Sequence, residues 1–316
     1  MMKVSVVIAT YNGEKYICEQ LDSILNQTYP VFEILIKDDC SIDHTISIVK
    51  RYQKKYPNIR LIENKKNIGV WTNFLEGFYL VTGEYIAYCD QDDIWLPNRI
   101  ERMIPFMKGR NMVYCNSSVC DEKGNILYSL REKTQFVTEI VSMFDLQVWG
   151  HQMLFRKDLL YKEDLIYLYK YISLDALLAI VAFQGDDNNV YYLDENLVYW
   201  RRSGTSVTGI YDAKSPFGIQ AFLNSIKSMF IFVGKNKKSK TKLFFKYILT
   251  LRGLSDKSKK VATNMVKASF CDLIDSSFIC LSDCMNKYKK ITCKEKVRIL
   301  LKPFITVKIQ FKYIGK

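Results

Sequence analysis

EYIAYCDQDD (residues 84–93) decides how this chain is to be read. Glu84–Cys89 is short, apolar and aromatic-rich, the pattern of a buried strand, and it stops on Asp90-Gln91-Asp92-Asp93. Toward the N-terminus three more runs have the same character: Lys3–Ala9 (KVSVVIA), Phe32–Lys37 (FEILIK) and Asn58–Glu63 (NIRLIE). Between them the apolar spacing turns helical. Ile17, Leu21, Ile24 and Leu25 share a face in Glu14–Asn26, Ile46, Val49 and Tyr52 follow Asp43 as N-cap, and Phe74, Leu75 and Phe78 share a face in Trp71–Val81. Strands separated by such helices need right-handed crossovers, which make a mostly parallel sheet flanked by helices, an α/β fold. Ligands of these sheets sit beyond the carboxyl ends of the strands. Here those ends are Thr10-Tyr11-Asn12-Gly13, Asp38-Asp39, Asn64–Gly69 and the acidic turn 90–93. Their convergence predicts one site.

Each end has its own chemistry. Asp90 and Asp92, one residue apart on a turn, suit a hard divalent cation, Mn²⁺ or Mg²⁺, completed by substrate phosphates; Asp93 is adjacent and can share that work. An EF-hand is excluded, because Ile94 and Trp95 stand where loop positions five and six need an oxygen ligand and a glycine. A carboxylate at Asp39 can accept the ring N–H of uracil or thymine, a charge-assisted bond contributing about 1.5–3 kcal/mol. Gly13 permits a tight turn after strand one, Tyr11 can line a base pocket, and backbone N–H groups at the next helix start favour phosphate. No Walker loop is present.

The composition separates a body from a tail. Hydrophobic residues make up 48% of the 316 and charged residues 25%, a globular balance. Residues 211–316 hold 23 Lys and Arg against 6 Asp and Glu, whereas 1–210 hold 23 against 27. The expected organisation is a catalytic domain over 1–210, with a nucleotide-binding half to about 110 and an acceptor half over 111–210, then a basic, mainly helical region over 211–316. Nine cysteines without a CxxC pair argue against a disulfide framework or structural zinc, and two histidines exclude a His-rich metal site. No apolar run is long enough to span a membrane, and no secretory cleavage site follows the start, so a cytoplasmic location is expected. The basic tail fits either of two readings: the inner membrane surface, with Phe244, Phe245, Tyr247, Ile248 and Leu251 as an apolar face that dips into the interface, or a solvated basic surface on a helical subdomain packed against the catalytic body. Nucleic acid is not expected, since no RRM, KH or zinc-finger pattern occurs.

VSVVIATYNG, FEILIKDDCSIDHT, NKKNIGVWTNF and GEYIAYCDQDDIWLPNRI, in that order and spacing, resemble the family 2 glycosyltransferases over about residues 3–105, more thinly to about 210. GHQMLFRKDLL and SLDALLAIVA are similar to the rhamnosyltransferase-type members of bacterial surface-polysaccharide synthesis. The resemblance implies a GT-A fold and an inverting, metal-dependent transfer from a nucleoside-diphosphate sugar, UDP- or dTDP-linked, to a glycan or lipid-linked glycan. By position it implies that Thr10, Tyr11, Asn12, Asp39, Asn67, Gly69 and Asp90 hold the donor nucleotide. Asp90 and Asp92 would hold the metal, with Lys65 and Asn73 near the donor. Asp175, beside Ser173 as helix N-cap, aligns with the general base that takes the acceptor's proton. His151 is a candidate for touching donor sugar or acceptor, and Arg201 and Arg202 for meeting the diphosphate. Where many relatives have an Arg-x-His element, Ser203 stands in place of the histidine. The alternative is a sugar-nucleotide-binding assembly factor at the membrane without catalysis.

Overall fold

The computed structural model describes residues 1–130, 137–144, 148–169, 172–202, 240–267 and 269–288, with a few positions beyond. Residues 203–210, among them Ser203, most of the Lys-rich run 235–242 and Cys293 lie outside the described residues. The chain forms two compact units that do not follow a single cut. One gathers the described residues of Met1–Thr134, Val148–Lys162 and Asn188–Tyr211; the other gathers those of Gln135–Gln147, Glu163–Asp187 and Asp212–Lys316.

The first unit is an α/β sheet. In chain order its elements are β1 (Val4–Thr10), α1 (Ile17–Leu25), β2 (Glu33–Asp38), α2 (Thr45–Lys55), β3 (Ile59–Glu63), α3 (Val70–Leu80), β4 (Tyr85–Cys89), β5 (Ile94–Trp95), α4 (Arg99–Met103), β6 (Met112–Cys120), β7 (Ile126–Ser129), β8 (Met153–Arg156) and β9 (Val190–Arg201). The sheet order is β3-β2-β1-β4-β8-β6-β9-β5, with β7 beside β6. Strands β3, β2, β1 and β4 run parallel, as their helical crossovers require. Beyond β4 the sheet is mixed: β8 is antiparallel to β4 and to β6, whereas β6 and β9 are parallel. The sequence expectation of a mostly parallel sheet therefore describes its first half, where short local crossovers dictate direction.

β1 and β2 are buried along their whole length, which explains why they read as unbroken apolar runs rather than alternations. Ile17, Leu21 and Ile24 of α1 join Val4, Val6, Ile8, Ile34 and Ile36 in one core. Asp43, expected as the N-cap of α2, stands one residue before the capping position, yet its carboxylate accepts the Thr45 N–H at 2.9 Å and still serves the helix start. The last strand, β9, runs from Val190 as far as Arg201. It does so through irregularities opposite Cys115, Asn116 and Ser117, where β9 carries extra residues. Bulges of this kind re-aim side chains, here beside the acidic turn.

The second unit is helical: α5 (Glu139–Ser142), α6 (Leu165–Leu168), α7 (Leu174–Phe183), α8 (Lys240–Ile248), α9 (Asp256–Lys267) and α10 (Phe270–Lys287). The Glu139 carboxylate accepts from the Ser258 hydroxyl at 2.7 Å and faces the Ser255 N–H, which favours the N-terminus of α9. Here one expectation is corrected. Phe244, Phe245, Ile248 and Leu251 are each 3% exposed or less, and the Phe245 ring packs 5.4 Å from Phe144. The face expected to meet a membrane is filled by protein, since burying it inside the unit removes the same apolar area from water. No helix among the described residues is long and apolar enough to cross a membrane.

Candidate functional site

At the carboxyl ends of β1, β2 and β4 three loops are sewn together. The Tyr11 N–H donates to Gln91 Oε1 at 2.9 Å, and Gln91 Nε2 returns a bond to the Tyr11 carbonyl. On the other side the Asn12 N–H donates to Ser41 Oγ, and Asn12 Oδ1 accepts the Ile42 N–H, both at 2.9 Å. Asn12 sits at φ 48°, the left-handed region that asparagine tolerates best after glycine. Gly13 leaves room for the Gln91 carboxamide: a Cβ there would stand 2.4 Å from Gln91 Oε1, and that side chain would have to give up its place. The segment after β1 thus ties the acidic turn to the Asp39 loop. Tyr11 is half exposed at this mouth, while Thr10 is buried and its hydroxyl donates to Asp38 Oδ2 at 2.8 Å.

Asp39 is 3% exposed, and its carboxylate gathers the loop after β3. Oδ1 accepts from Asn64 Nδ2 and the Ile68 N–H, and Oδ2 from the Gly69 N–H, all at 2.8 Å. Asn67 Nδ2 donates to the Asp39 carbonyl at 3.1 Å. Gly69, at φ 84°, is the N-cap of α3 and turns the loop where a side chain would be strained. Beneath the loop lies the buried Lys37 ammonium, paired with Glu76 at 2.8 Å and bonded to Asn64 and Asn73. Lys65 is exposed.

The ligand atoms of Asp90, Asp93 and His151 all lie within 4.8 Å of one another. Asp92 is not in that group. Asp93 is fully buried; its Oδ1 accepts the Arg201 N–H at 3.1 Å, and its Oδ2 has no hydrogen-bond partner. A buried carboxylate with one orphaned oxygen, grouped with a second carboxylate and an imidazole, fits a divalent cation. Burial, then the charges of Asp92 and Asp90, push the Asp93 carboxyl well above the usual range, and burial raises Asp92 as well. A bound cation would relieve this repulsion. His151 is 2% exposed, its Nε2 lies 2.9 Å from Ser117 Oγ, and its ring stacks on Trp200 at 5.0 Å. Gln152 Nε2 donates to the same Ser117 oxygen at 2.9 Å. Behind the turn the fully buried Arg99 donates from Nη2 to the His151 carbonyl at 2.7 Å and lies 3.7 Å over the Trp95 ring.

Arg201 is turned inward: its nitrogens donate to Asp92, Glu122 and Glu19. The Arg202 guanidinium lies 4.5 Å over the Trp200 ring. Asp175 stands in the first turn of α7, in the helical unit, where its carboxylate accepts the Ala176 N–H at 2.9 Å. Ser173 is the N-cap of that helix, although its side chain makes no capping bond. Gln91, Ser117, Lys37 and Arg99 escaped the sequence reading. Only Gln91 left a trace, as a polar residue inside the acidic turn; the others act through partners that no local spacing reveals.

The sequence profile of Glycosyl transferase family 2 matches residues 5–167. An uncharacterized glycosyltransferase of Methanocaldococcus jannaschii is 36% identical over 146 residues, 45% of this chain and 50% of that protein. A Bacillus subtilis glycosyltransferase, TuaG, provisionally named for teichuronic acid biosynthesis, is 32% identical over 111 residues, 35% of this chain and 44% of its own length. The chain spans half or less of the length of these two relatives. Among solved structures, S. aureus TarS 1–349 in complex with UDP-GlcNAc superposes with a TM-score of 0.53 at 19% identity, covering 97% of this chain and 90% of that one, a likeness of fold.

Proposed function

The chain belongs to glycosyl transferase family 2, with the GT-A fold, and from that premise we propose that it transfers a sugar from a nucleoside-diphosphate sugar to a hydroxyl of a growing surface polysaccharide or lipid-linked oligosaccharide. One observation carries the reading: the loop after β1 bonds both to the acidic turn and to the Asp39 loop, so the Asp90–Asp93–His151 cluster and Asp39 lie at the same carboxyl end of the parallel strands. The UDP-GlcNAc complex of the fold relative supports a nucleotide sugar as the donor class, and the teichuronic acid name of the Bacillus relative supports a cell-envelope glycan as acceptor.

In this reading Asp39 Oδ2, which accepts one backbone N–H, has a second lone pair for the imide N–H of a uracil or thymine. Tyr11, half exposed, lies beside the base. Asp90, Asp93 and His151 would hold a divalent cation, which when bound would offset negative charge on the departing diphosphate. An imidazole in the donor set favours Mn²⁺ over Mg²⁺, because Mg²⁺ prefers oxygen ligands and keeps its waters. Asp92 stays beside the diphosphate. Asp175 takes the proton of the acceptor hydroxyl as it attacks, with inversion at the anomeric carbon; a positioned base contributes about 10²–10⁴-fold. The basic region supports a peripheral place at the cytoplasmic face of the membrane, where an acceptor lipid would be met, and co-sedimentation with anionic vesicles tests it. The rhamnosyl type is the finer reading of the donor.

The deciding experiment is a donor panel with Mn²⁺, reading released nucleotide for wild type and Asp175→Asn. Turnover by wild type, reduced at least about a hundredfold in the variant with donor binding retained, supports the assignment. Donor binding with equal, unmeasurable turnover in both proteins would instead favour an assembly factor without catalysis.

A further inference from the structure

Arg201 ends β9, and the residue is 3% exposed. A guanidinium is tolerated at such depth only when its donors are met, and here each nitrogen has an acceptor. Nε donates to the Asp92 carbonyl at 2.8 Å, Nη1 to the Glu122 carbonyl at 2.5 Å, and Nη2 to the Glu19 carboxylate. The Tyr16 ring lies 4.5 Å from the guanidinium carbon. The backbone N–H of the same residue reaches Asp93 Oδ1 at 3.1 Å. One residue therefore grips the peptide joining Asp92 to Asp93 and one oxygen of the Asp93 carboxylate. The other oxygen, Oδ2, is the buried atom without a hydrogen-bond partner, and Asp93 is the acid that meets Asp90 and His151 within 4.8 Å.

We propose that Arg201 is a positioning residue of the cation site: its grip on the Asp92–Asp93 peptide aims Asp93 Oδ2 at the point shared with Asp90 and His151, and it makes no contact with the donor diphosphate. Three segments meet at its fork: α1 through Glu19, the turn between β6 and β7 through Glu122, and the acidic turn through Asp92. Only a planar guanidinium can satisfy three acceptors so arranged; an ammonium is a point charge on a flexible stem. The bond from Arg201 to Asp93 is made by backbone, so a side-chain substitution removes the bonds to Asp92, Glu122 and Glu19 but keeps the bond to Asp93 and leaves the ligands chemically intact. The inference rests on the cation site of the proposed function.

The test measures Mn²⁺ binding to the full chain without any donor, from the electron paramagnetic resonance of free Mn²⁺, for wild type, Arg201→Met and Arg201→Lys. Residues that support metal ligands typically change affinity about 10–100-fold when replaced, so Arg201→Met is expected to weaken Mn²⁺ at least about tenfold, and Arg201→Lys to rescue only part of that loss. UDP binding in EDTA, followed by calorimetry, is expected to be unchanged in both variants. Donor-free Mn²⁺ affinity equal to wild type, together with weakened UDP binding, would overturn the inference and make Arg201 a diphosphate contact. If Arg201→Met does not fold, Arg201→Lys alone decides by the same two readings. A wild-type chain that binds no Mn²⁺ overturns the cation site of the proposed function and this inference with it, whereas binding that both variants retain overturns the inference only.

Discussion

Gly150→Ala links packing to the candidate site in a single methyl group. A Cβ at Gly150 would lie 2.6, 2.7 and 3.0 Å from three carbons of the Tyr88 ring. Carbon atoms rest at about 3.5–4.0 Å, so the ring must move by roughly 1 Å. It has little room. Tyr88 is 5% exposed, its ring centroid lies 4.0 Å from that of Phe74 and 5.4 Å from that of Phe78, and Phe78 is held in turn by Phe155 at 5.3 Å. Overpacking of this kind costs about 1–3 kcal/mol. Gly150 does not have a positive φ, so alanine tolerates its backbone and recovers about 0.4–1 kcal/mol through a less free unfolded chain. The net expectation is a loss of about 1–2 kcal/mol. With a urea slope of about 3 kcal/mol per molar for a chain of this size, the midpoint should fall by roughly 0.3–0.7 M. Because His151 is the next residue in the same short 3-10 turn, Mn²⁺ affinity should fall with it. An unchanged midpoint would show that the ring yields freely and refute the packing argument; a lowered midpoint with wild-type Mn²⁺ affinity would refute the coupling to His151.

Three further outcomes are expected. Asp39→Asn places an amide group against the Ile68 and Gly69 N–H donors; with about 1.5–3 kcal/mol at stake in each charge-assisted bond, calorimetry should show UDP affinity reduced at least about tenfold. Asp93 has a raised carboxyl pKa because of burial and then its acidic neighbours, so the folded chain keeps a proton that the unfolded chain releases near pH 4. Stability without metal should therefore fall as pH rises above the ordinary carboxylate range, and urea midpoints in EDTA across pH should lose that slope in Asp93→Asn. Free Mn²⁺ at 100 times its dissociation constant should stabilise the wild type by about 2.7 kcal/mol; thermal scans should show the effect reversed by EDTA and absent in Asp93→Asn.

The parallel half of the sheet was legible because its information is local. Val4–Thr10 and Glu33–Asp38 announce burial by unbroken apolar runs, the helices between them announce crossovers by spacing, and a parallel sheet must put Gly13, Asp39 and Asp90 at one end. The second half was not legible in this way. β8 enters between β4 and β6 antiparallel, and β9 bulges against β6, through pairings of strands distant in sequence.

The strand-end loops and the types of residue they carry can thus be read along the chain, since helix and strand periods and turn-forming residues are properties of sequence neighbours. Which of those side chains meet is settled by folding alone. Asp93 and His151 share a point with Asp90, Ser117 and Arg99 hold His151, and Arg201 turns inward to Asp92, Glu122 and Glu19. The reason is physical: a carboxylate's partner is whatever the sheet register and a bulge bring within about 3 Å, and neither register nor bulge is written in the spacing of the residues themselves.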